Sequence, residues 1–289
     1  MSERPDGPLL SNPRSDRIRA LRALAGRSVR NRRGRFLVEG PQAAREALRC
    51  GAADELLMTT QARARYPEIW RAADDRGIRA QLATAEVISA ISDSAQGVIA
   101  IAPLLQAQLE PVLARGPRLL AVLAQNQDPG NAGTVIRTAD AAGADAVIMA
   151  SGSVDIFNPK VVRASAGSLF HLPVITGLEL PDILAAIRAA GLQLLAADGG
   201  GSHDLDALQD AAHVDGAEEL PSLARETAWV FGNEARGLDS ADLERVNSVV
   251  AIPIHGQAES LNLASAAALC LYASARAQRG PGGNNQGIN

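Results

Sequence analysis

Leu119-Leu120-Ala121-Val122-Leu123 is an unbroken apolar run, followed by the turn Gln127-Asp128-Pro129-Gly130-Asn131 and then by Ala132-Gly133-Thr134-Val135-Ile136-Arg137. The run reads as a buried strand, and Ala132, Val135, Ile136 and Ala139 recur at helical spacing as far as Gly143. Strand, tight turn and helix in that order open an α/β unit. The turn is not Gly-x-Gly-x-x-Gly, which counts against a dinucleotide-binding domain. Taken alone, Asn131 reads as the N-cap of the helix, with Arg137 exposed further along it.

Beyond this stretch, strand-like runs recur at Ala146–Met149, Leu192–Ala196, Ala228–Phe231 and Val249–Ile252, with helical patterns between them up to about Gln278. The class is α/β with a mainly parallel sheet. Two of these strands lead into unusual loops. Phe231-Gly232-Asn233-Glu234-Ala235-Arg236-Gly237-Leu238 begins with a glycine that permits a positive φ or the close approach of a ligand. Ile252-Pro253-Ile254 crosses to Glu259-Ser260-Leu261-Asn262-Leu263 and an Ala-rich helix, Leu263–Ala277, for which Ser260 reads as the N-cap.

Toward the N-terminus, Ile18, Leu21 and Leu24 predict a helix over Arg17–Gly26, and Arg27–Arg35 reads as a basic turn. Phe36-Leu37-Val38 predicts a strand and Pro41–Cys50 a helix, with Gly51 just past its end. Short strands at Glu55–Thr59, Ala80–Leu82 and Val98–Ala102, with a helix at Ala85–Ser92, complete a small α/β unit. The expected organisation is a flexible tail over 1–15, a small domain over 16–103, a Pro-containing linker over 104–117, the larger domain over 118–279 and a Gly/Asn-rich tail over 280–289.

The chain has 289 residues, 47% of them hydrophobic and 3% aromatic, so Ala, Leu, Val and Ile must build its core. Neither Cys50 nor Cys270 has a second Cys or a His at metal-ligand spacing, so no metal is expected, and both read as reduced and buried. Without a signal-like N-terminus or a long apolar run, the protein is expected to be cytoplasmic and to have no membrane partner. The net charge of −4 hides an asymmetry: residues 1–50 hold 12 Arg against five acidic residues, a net of +7, leaving −11 elsewhere. Arg30, Arg32, Arg33 and Arg35 form the densest basic stretch and are candidate RNA contacts.

Together, the segments Asn131–Arg137, Phe231–Leu238 and Ile252–Leu263 closely resemble the three motifs of the SpoU/TrmH branch of the SPOUT RNA methyltransferases, and the spacing of Gly232, Ile252 and Leu261 agrees. The resemblance implies a parallel sheet with a deep trefoil knot, a homodimer, and S-adenosylmethionine as cofactor, bound bent within the knot. Gly232, Ile252 and Leu261, with Phe231 and Ile254, are implied as its walls. Arg137, Asn131, Glu234, Ser260 and Asn262 are implied at the reaction centre. The 16–103 unit resembles the L30e-like substrate-binding domain of such enzymes through Phe36-Leu37-Val38-Glu39-Gly40 and Gln96-Gly97-Val98. Asn158-Pro159-Lys160-Val161-Val162-Arg163 and Ser165–Val174 resemble the stretch between the first two motifs, where an Arg lines the approach to the site; His171 there reads as structural. The implied activity is ribose 2′-O-methylation of RNA, 23S rRNA above all. Alternatives are a tRNA enzyme, an rRNA methyltransferase of the thiostrepton-resistance type, a catalytically silent RNA-binding protein and, on the α/β pattern alone, an NAD-type oxidoreductase.

Overall fold

The computed structural model describes residues 8–212, 221–233 and 236–280. They divide into two compact units, one made of the chain up to Leu105 together with Asp155–His171, the other of Gln106–Val154 and the chain from Leu172 onward.

In the first unit, β1 (Arg35–Glu39), β2 (Glu55–Met58), β3 (Arg79–Leu82) and β4 (Val98–Pro103) form a sheet in the order β1-β4-β2-β3. β4 runs antiparallel to both neighbours, pairing Phe36 with Ala102 and Leu56 with Ala100, and β2 lies parallel to β3. Successive side chains of a strand leave opposite faces. Leu37, Leu57, Ile99 and Ile101 accordingly join one core cluster with Ile18, Leu24, Val87 and Ile88 from the flanking helices. Phe36 meets Phe157 and Phe170, at centroid distances of 4.7 and 6.2 Å.

Those two phenylalanines come from the segment between the second and third strands of the other unit. Its helix, Pro159–Ala164, is capped by Asn158, and Arg163 bonds the buried Glu39 at 2.5 Å. Arg163 is therefore engaged inside this unit. His171 sits 3.2 Å from Glu46, and Gly167, at φ +101, lies so near Glu46 that a Cβ there would come within 2.5 Å of its Cγ.

Three expectations need correction here. Arg27–Arg35 is not a basic turn: Arg27–Arg33 is helical, because arginine is a good helix former and Gly34 closes the helix in the left-handed conformation at φ 64. The 104–117 stretch contains a helix, Leu109–Leu113, with Leu109 and Val112 buried. Cys50 is exposed, at the end of its helix, whereas Cys270 is buried and burial pushes its thiol pKa up.

The second unit is a seven-stranded sheet: β5 (Leu119–Leu123), β6 (Ala146–Met149), β7 (Val174–Thr176), β8 (Gln193–Ala197), β9 (His203–Asp204), β10 (Thr227–Phe231) and β11 (Ser248–Ala251), in the order β7-β6-β5-β10-β8-β11-β9. Every pair is parallel. A parallel sheet is covered on both faces, which explains why its strands read as continuous apolar runs. Leu120, Val122, Ile148, Leu194 and Val230 pack with Ile183, Leu184 and Ile187 of the helix Leu180–Ala189. On the other face lie the helices Pro129–Ala142 and Leu263–Arg279, packed against one another. The indole N–H of Trp229 on β10 donates to Ser274 Oγ of the latter at 2.9 Å, and both residues are fully buried. Among the described residues no helix is long and apolar enough to cross a membrane.

Candidate active site

Because all seven strands run the same way, the loops after β5, β8, β10 and β11 leave from one edge. In open parallel sheets, ligands bind outside the carboxyl ends where the strand order reverses. Here that point is β5, from which β6 and β7 extend to one side and β10 and β8 to the other.

The loop after β10 is closed by a two-way bridge: Asn233 N–H donates to Gly237 O at 3.0 Å, and Gly237 N–H to Asn233 O at 2.8 Å. Gly232 must be glycine for that closure, since a Cβ there would stand 2.4 Å from Gly237 C and 2.6 Å from Leu238 N. Asn233 Nδ2 then donates to Gln125 O at 3.0 Å, fixing the loop to the end of β5, where Gln125 holds a φ of 52. Glu234 lies outside the described residues.

The helix Pro129–Ala142 is capped by Asp128, whose Oδ1 accepts from Asn131 N–H at 2.7 Å. The expected cap, Asn131, instead sits in the first turn: Pro129 takes the first helical position, where its missing N–H costs nothing, and the residue before it becomes the cap. The helix Leu263–Arg279 is capped by Asn262 rather than Ser260; Asn262 Oδ1 accepts from Ala264 N–H at 2.9 Å and Ser265 N–H at 3.3 Å. Its amide group is left to donate to Asn131 Oδ1 at 2.9 Å. One hydrogen bond thus joins the first turns of two packed helices. Each N-terminus carries partial positive charge, so their junction favours an anion. Arg137, on the first of these helices, is exposed and has no hydrogen-bond or ion-pair partner among the described residues.

The expected cofactor walls divide into two kinds. Phe231 is buried, stacked 6.4 Å from Trp229, and its carbonyl accepts from Ala124 N–H, so it shapes the edge from behind. Ile252 is partly covered, while Ile254 and Leu261 are 39% and 37% exposed. Between them, residues 253–261 make no backbone–backbone hydrogen bond among the described residues. A loop that offers the apolar side chains of Ile254 and Leu261 and leaves its peptide groups uncommitted suits a planar heterocycle, which takes apolar contact on its faces and main-chain hydrogen bonds at its edge. Ser260 is exposed within this loop. The residues present fit S-adenosylmethionine on these grounds.

Sequence reasoning missed two supports of the site. Gly201 follows β8 so close to β11 that a Cβ would stand 2.5 Å from Ala251 N, and Asp198 N–H donates to Val250 O at 3.1 Å. The run Asp198-Gly199-Gly200-Gly201 was the available signal.

Of the expected RNA contacts, Arg32 and Arg33 are exposed. Arg30 is corrected: it is 2% exposed, donates to Leu24 O and Ala25 O, and pairs with Asp155 at 2.5 Å, so its guanidinium is spent inside the unit. Arg35 is half-exposed but paired with Asp54 and Glu55, each at 3.2 Å.

A family model described as the SpoU rRNA Methylase family matches residues 118–272, and one described as the MRM3-like substrate binding domain matches residues 15–100. The chain is 33% identical to the 23S rRNA (guanosine(2553)-2′-O)-methyltransferase RlmP of Bacillus subtilis, over 91% of this chain and 97% of that protein. Among solved structures, the AdoMet-bound rRNA methyltransferase from Sinorhizobium meliloti superposes with a TM-score of 0.76 at 27% identity, covering 92% of this chain and 97% of that one. The SpoU methyltransferase AviRb from Streptomyces viridochromogenes, in complex with AdoMet, gives 0.73 at 31% identity, covering 91% and 97%. The chain belongs to the SpoU rRNA methylase family of RNA 2′-O-methyltransferases.

Proposed function

We propose that this protein methylates a ribose 2′-hydroxyl of 23S rRNA, using S-adenosylmethionine, in the cytoplasm. The observation that carries the reading is the Asn262–Asn131 bond at 2.9 Å. It ties the third motif to the first at the positive ends of two helices, on the helix that presents Arg137, which has no partner among the described residues. RlmP, the Bacillus relative, is by name a 23S rRNA enzyme, which supports the substrate.

When bound, the donor supplies an electrophilic methyl group. The residues of this chain have to hold a weak nucleophile in line with it, and positioning of that kind can account for much of an enzyme's acceleration. Arg137 binds the phosphate next to the target ribose and orients the 2′-oxygen. A guanidinium stays protonated at neutral pH, so it is not the base. The hydroxyl proton leaves to a phosphate oxygen or to water. Asn131, Asn262, Ser260 and Glu234 fix the geometry, while Gly232, Ile252, Ile254 and Leu261 hold the donor, with Phe231 behind them.

The proposal extends to the first unit, with Arg32 and Arg33 as its RNA contacts, and to a two-fold dimer. Leu269 and Tyr272, 48% and 53% exposed and three residues apart on the helix Leu263–Arg279, support the dimer. A trefoil knot through the loops after β8 and β10 belongs to the same reading. The insertion of β10 between β5 and β8 supports it, and an experimental chain trace through residues 198–263 tests it. Mass-spectrometric mapping of ribose methylation in rRNA and tRNA from cells with and without the gene tests the activity. One 2′-O-methyl mark in 23S rRNA that disappears with the gene is the expected result. A mark lost from tRNA would move the substrate, and no lost mark would remove the reading.

A further inference from the structure

The first unit carries a cleft of about 350 Å³, bounded by the helices Thr60–Arg65 and Ala85–Ile91 and by the turn before β4. Gln61, Arg65, Tyr66, Ser89, Asp93 and Gln96 are among its lining residues. Nothing in the methyl-transfer site uses them.

Three features of this cleft point the same way. The Arg65 guanidinium lies 5.3 Å from the centroid of the Tyr66 ring, and that of Arg63 lies 4.2 Å from Trp70 on the next helix. Tyr66, one of only two tyrosines in the chain, lines the cleft with Arg65 beside it. Second, Gln96 holds a φ of 51, a left-handed conformation in which glycine would sit more easily, and its side chain is exposed. An exposed side chain at a strained position contributes little to packing and is placed to meet a ligand. Third, the polar groups are mixed. Asp93 only accepts hydrogen bonds, Arg65 only donates, and Gln61 and Gln96 do both.

A flat aromatic and guanidinium surface beside paired donors and acceptors is the arrangement that recognises an unstacked base in single-stranded RNA. We propose that this cleft takes one unpaired nucleobase of the RNA substrate, stacked on Tyr66, with its phosphate at Arg65 and its edge read by Gln96 and Asp93. The Asp93 carboxylate accepts from an N–H on that edge, such as the exocyclic amino group of adenine, cytosine or guanine or the N3–H of uracil. The inference rests on the RNA methyltransferase reading given above, which supplies the RNA.

The test uses the full-length protein, a transcribed 23S rRNA fragment that it methylates, fluorescence anisotropy for RNA binding and steady-state kinetics. Tyr66→Ala is expected to raise both Kd and KM for RNA about tenfold, the loss of one stacked base, with kcat and S-adenosylmethionine affinity unchanged and with Tyr66→Phe restoring binding. Gln96→Gly is expected to raise Tm and yet weaken RNA binding, a combination that a purely structural role would not produce. Should Tyr66→Ala not fold, Ser89→Trp decides, because it fills the cleft from an exposed helix position and is expected to weaken RNA binding at unchanged Tm. Variants that match an active wild type in RNA affinity would overturn the cleft assignment alone. A wild type that binds the donor but methylates no RNA would overturn the activity, and this inference with it.

Discussion

Arg137 and Gly232 carry the sharpest expectations at the scale of single residues. Arg137 is exposed on its helix with no described partner, so its replacement leaves no buried charge and should change Tm little. Arg137→Lys keeps the charge but loses the two-pronged grip on phosphate, so it should retain partial RNA binding and lose most turnover. Near-wild-type methyl transfer by Arg137→Ala in a radiolabel assay would remove Arg137 from the mechanism. Gly232→Ala brings a Cβ to within 2.4 Å of backbone that is bonded in both directions, and backbone cannot swing aside as the end of a side chain can. The expected cost is about 1–3 kcal/mol from overpacking, read by thermal melting, with weaker donor binding in calorimetry. Arg30 teaches the opposite lesson. By sequence it belongs with Arg32 and Arg33, yet burial turns it into half of an ion pair whose disruption typically costs about 3–5 kcal/mol.

At the scale of elements, the helix Leu263–Arg279 is held to the sheet by the Trp229–Ser274 bond. Ser274→Ala would leave a buried indole N–H unsatisfied, a loss of about 1–3 kcal/mol measurable by urea denaturation. In the short helix Ser240–Leu243, the carboxyl pKa of Asp242 is raised, first by burial and then by the charge of Asp239. A raised carboxyl pKa means that the folded state prefers the protonated form, so this group favours folding below its unfolded value and loses that contribution as pH rises through the folded one. Asp242→Asn should therefore raise Tm at pH 7, with the gain shrinking as pH falls toward the ordinary aspartate range; a gain independent of pH would contradict this.

The elements that sequence made legible are those whose pattern is unambiguous. β5, β6, β8, β10 and β11 are apolar runs because a parallel sheet buries both faces, and sequence located each to within a residue or two. β7 and β9, with three and two residues, are too short to show any period. The helices Thr60–Arg65 and Pro67–Asp75 were not foreseen; each is short, and Tyr66 and Pro67 interrupt the pattern between them. The caps at Asp128 and Asn262 escaped notice because several good capping residues crowd each turn, and only the backbone selects among them. In the candidate site, Gly232 and Asn262 could be named from motif resemblance. The clash that makes Gly232 necessary, and the bond that Asn262 makes, required coordinates.

At the scale of the whole molecule, the basic excess of the first fifty residues is largely spent within the first unit. Arg17, Arg19, Arg27, Arg30, Arg35, Arg45 and Arg49 all sit in ion pairs, while Arg14, Arg22, Arg32 and Arg33 are exposed without one among the described residues, the last two adjacent on one helix. Changing both to Ala should weaken RNA binding and make it less dependent on salt, by about one to two in the slope of log K against log salt, while S-adenosylmethionine affinity stays the same. A loss of donor affinity would mean that the basic helix serves the cofactor instead.

The family matches, over residues 15–100 and 118–272, suggest a chain that could be cut once and rejoined to a different module. The stretch Asp155–His171 forbids that. It departs after β6, contributes Phe157, Arg163 and Phe170 to the first unit, and returns before β7. A recombinant exchanging only the first hundred residues would set a foreign strand against the resident Phe157, Arg163 and Phe170, which in this chain are fitted to Phe36 and Glu39. Swapping specificity between relatives of this enzyme thus needs three coordinated crossover points, after Leu105, before Asp155 and after His171, and a lineage descended by single-breakpoint shuffling would have to repair that mismatch afterwards.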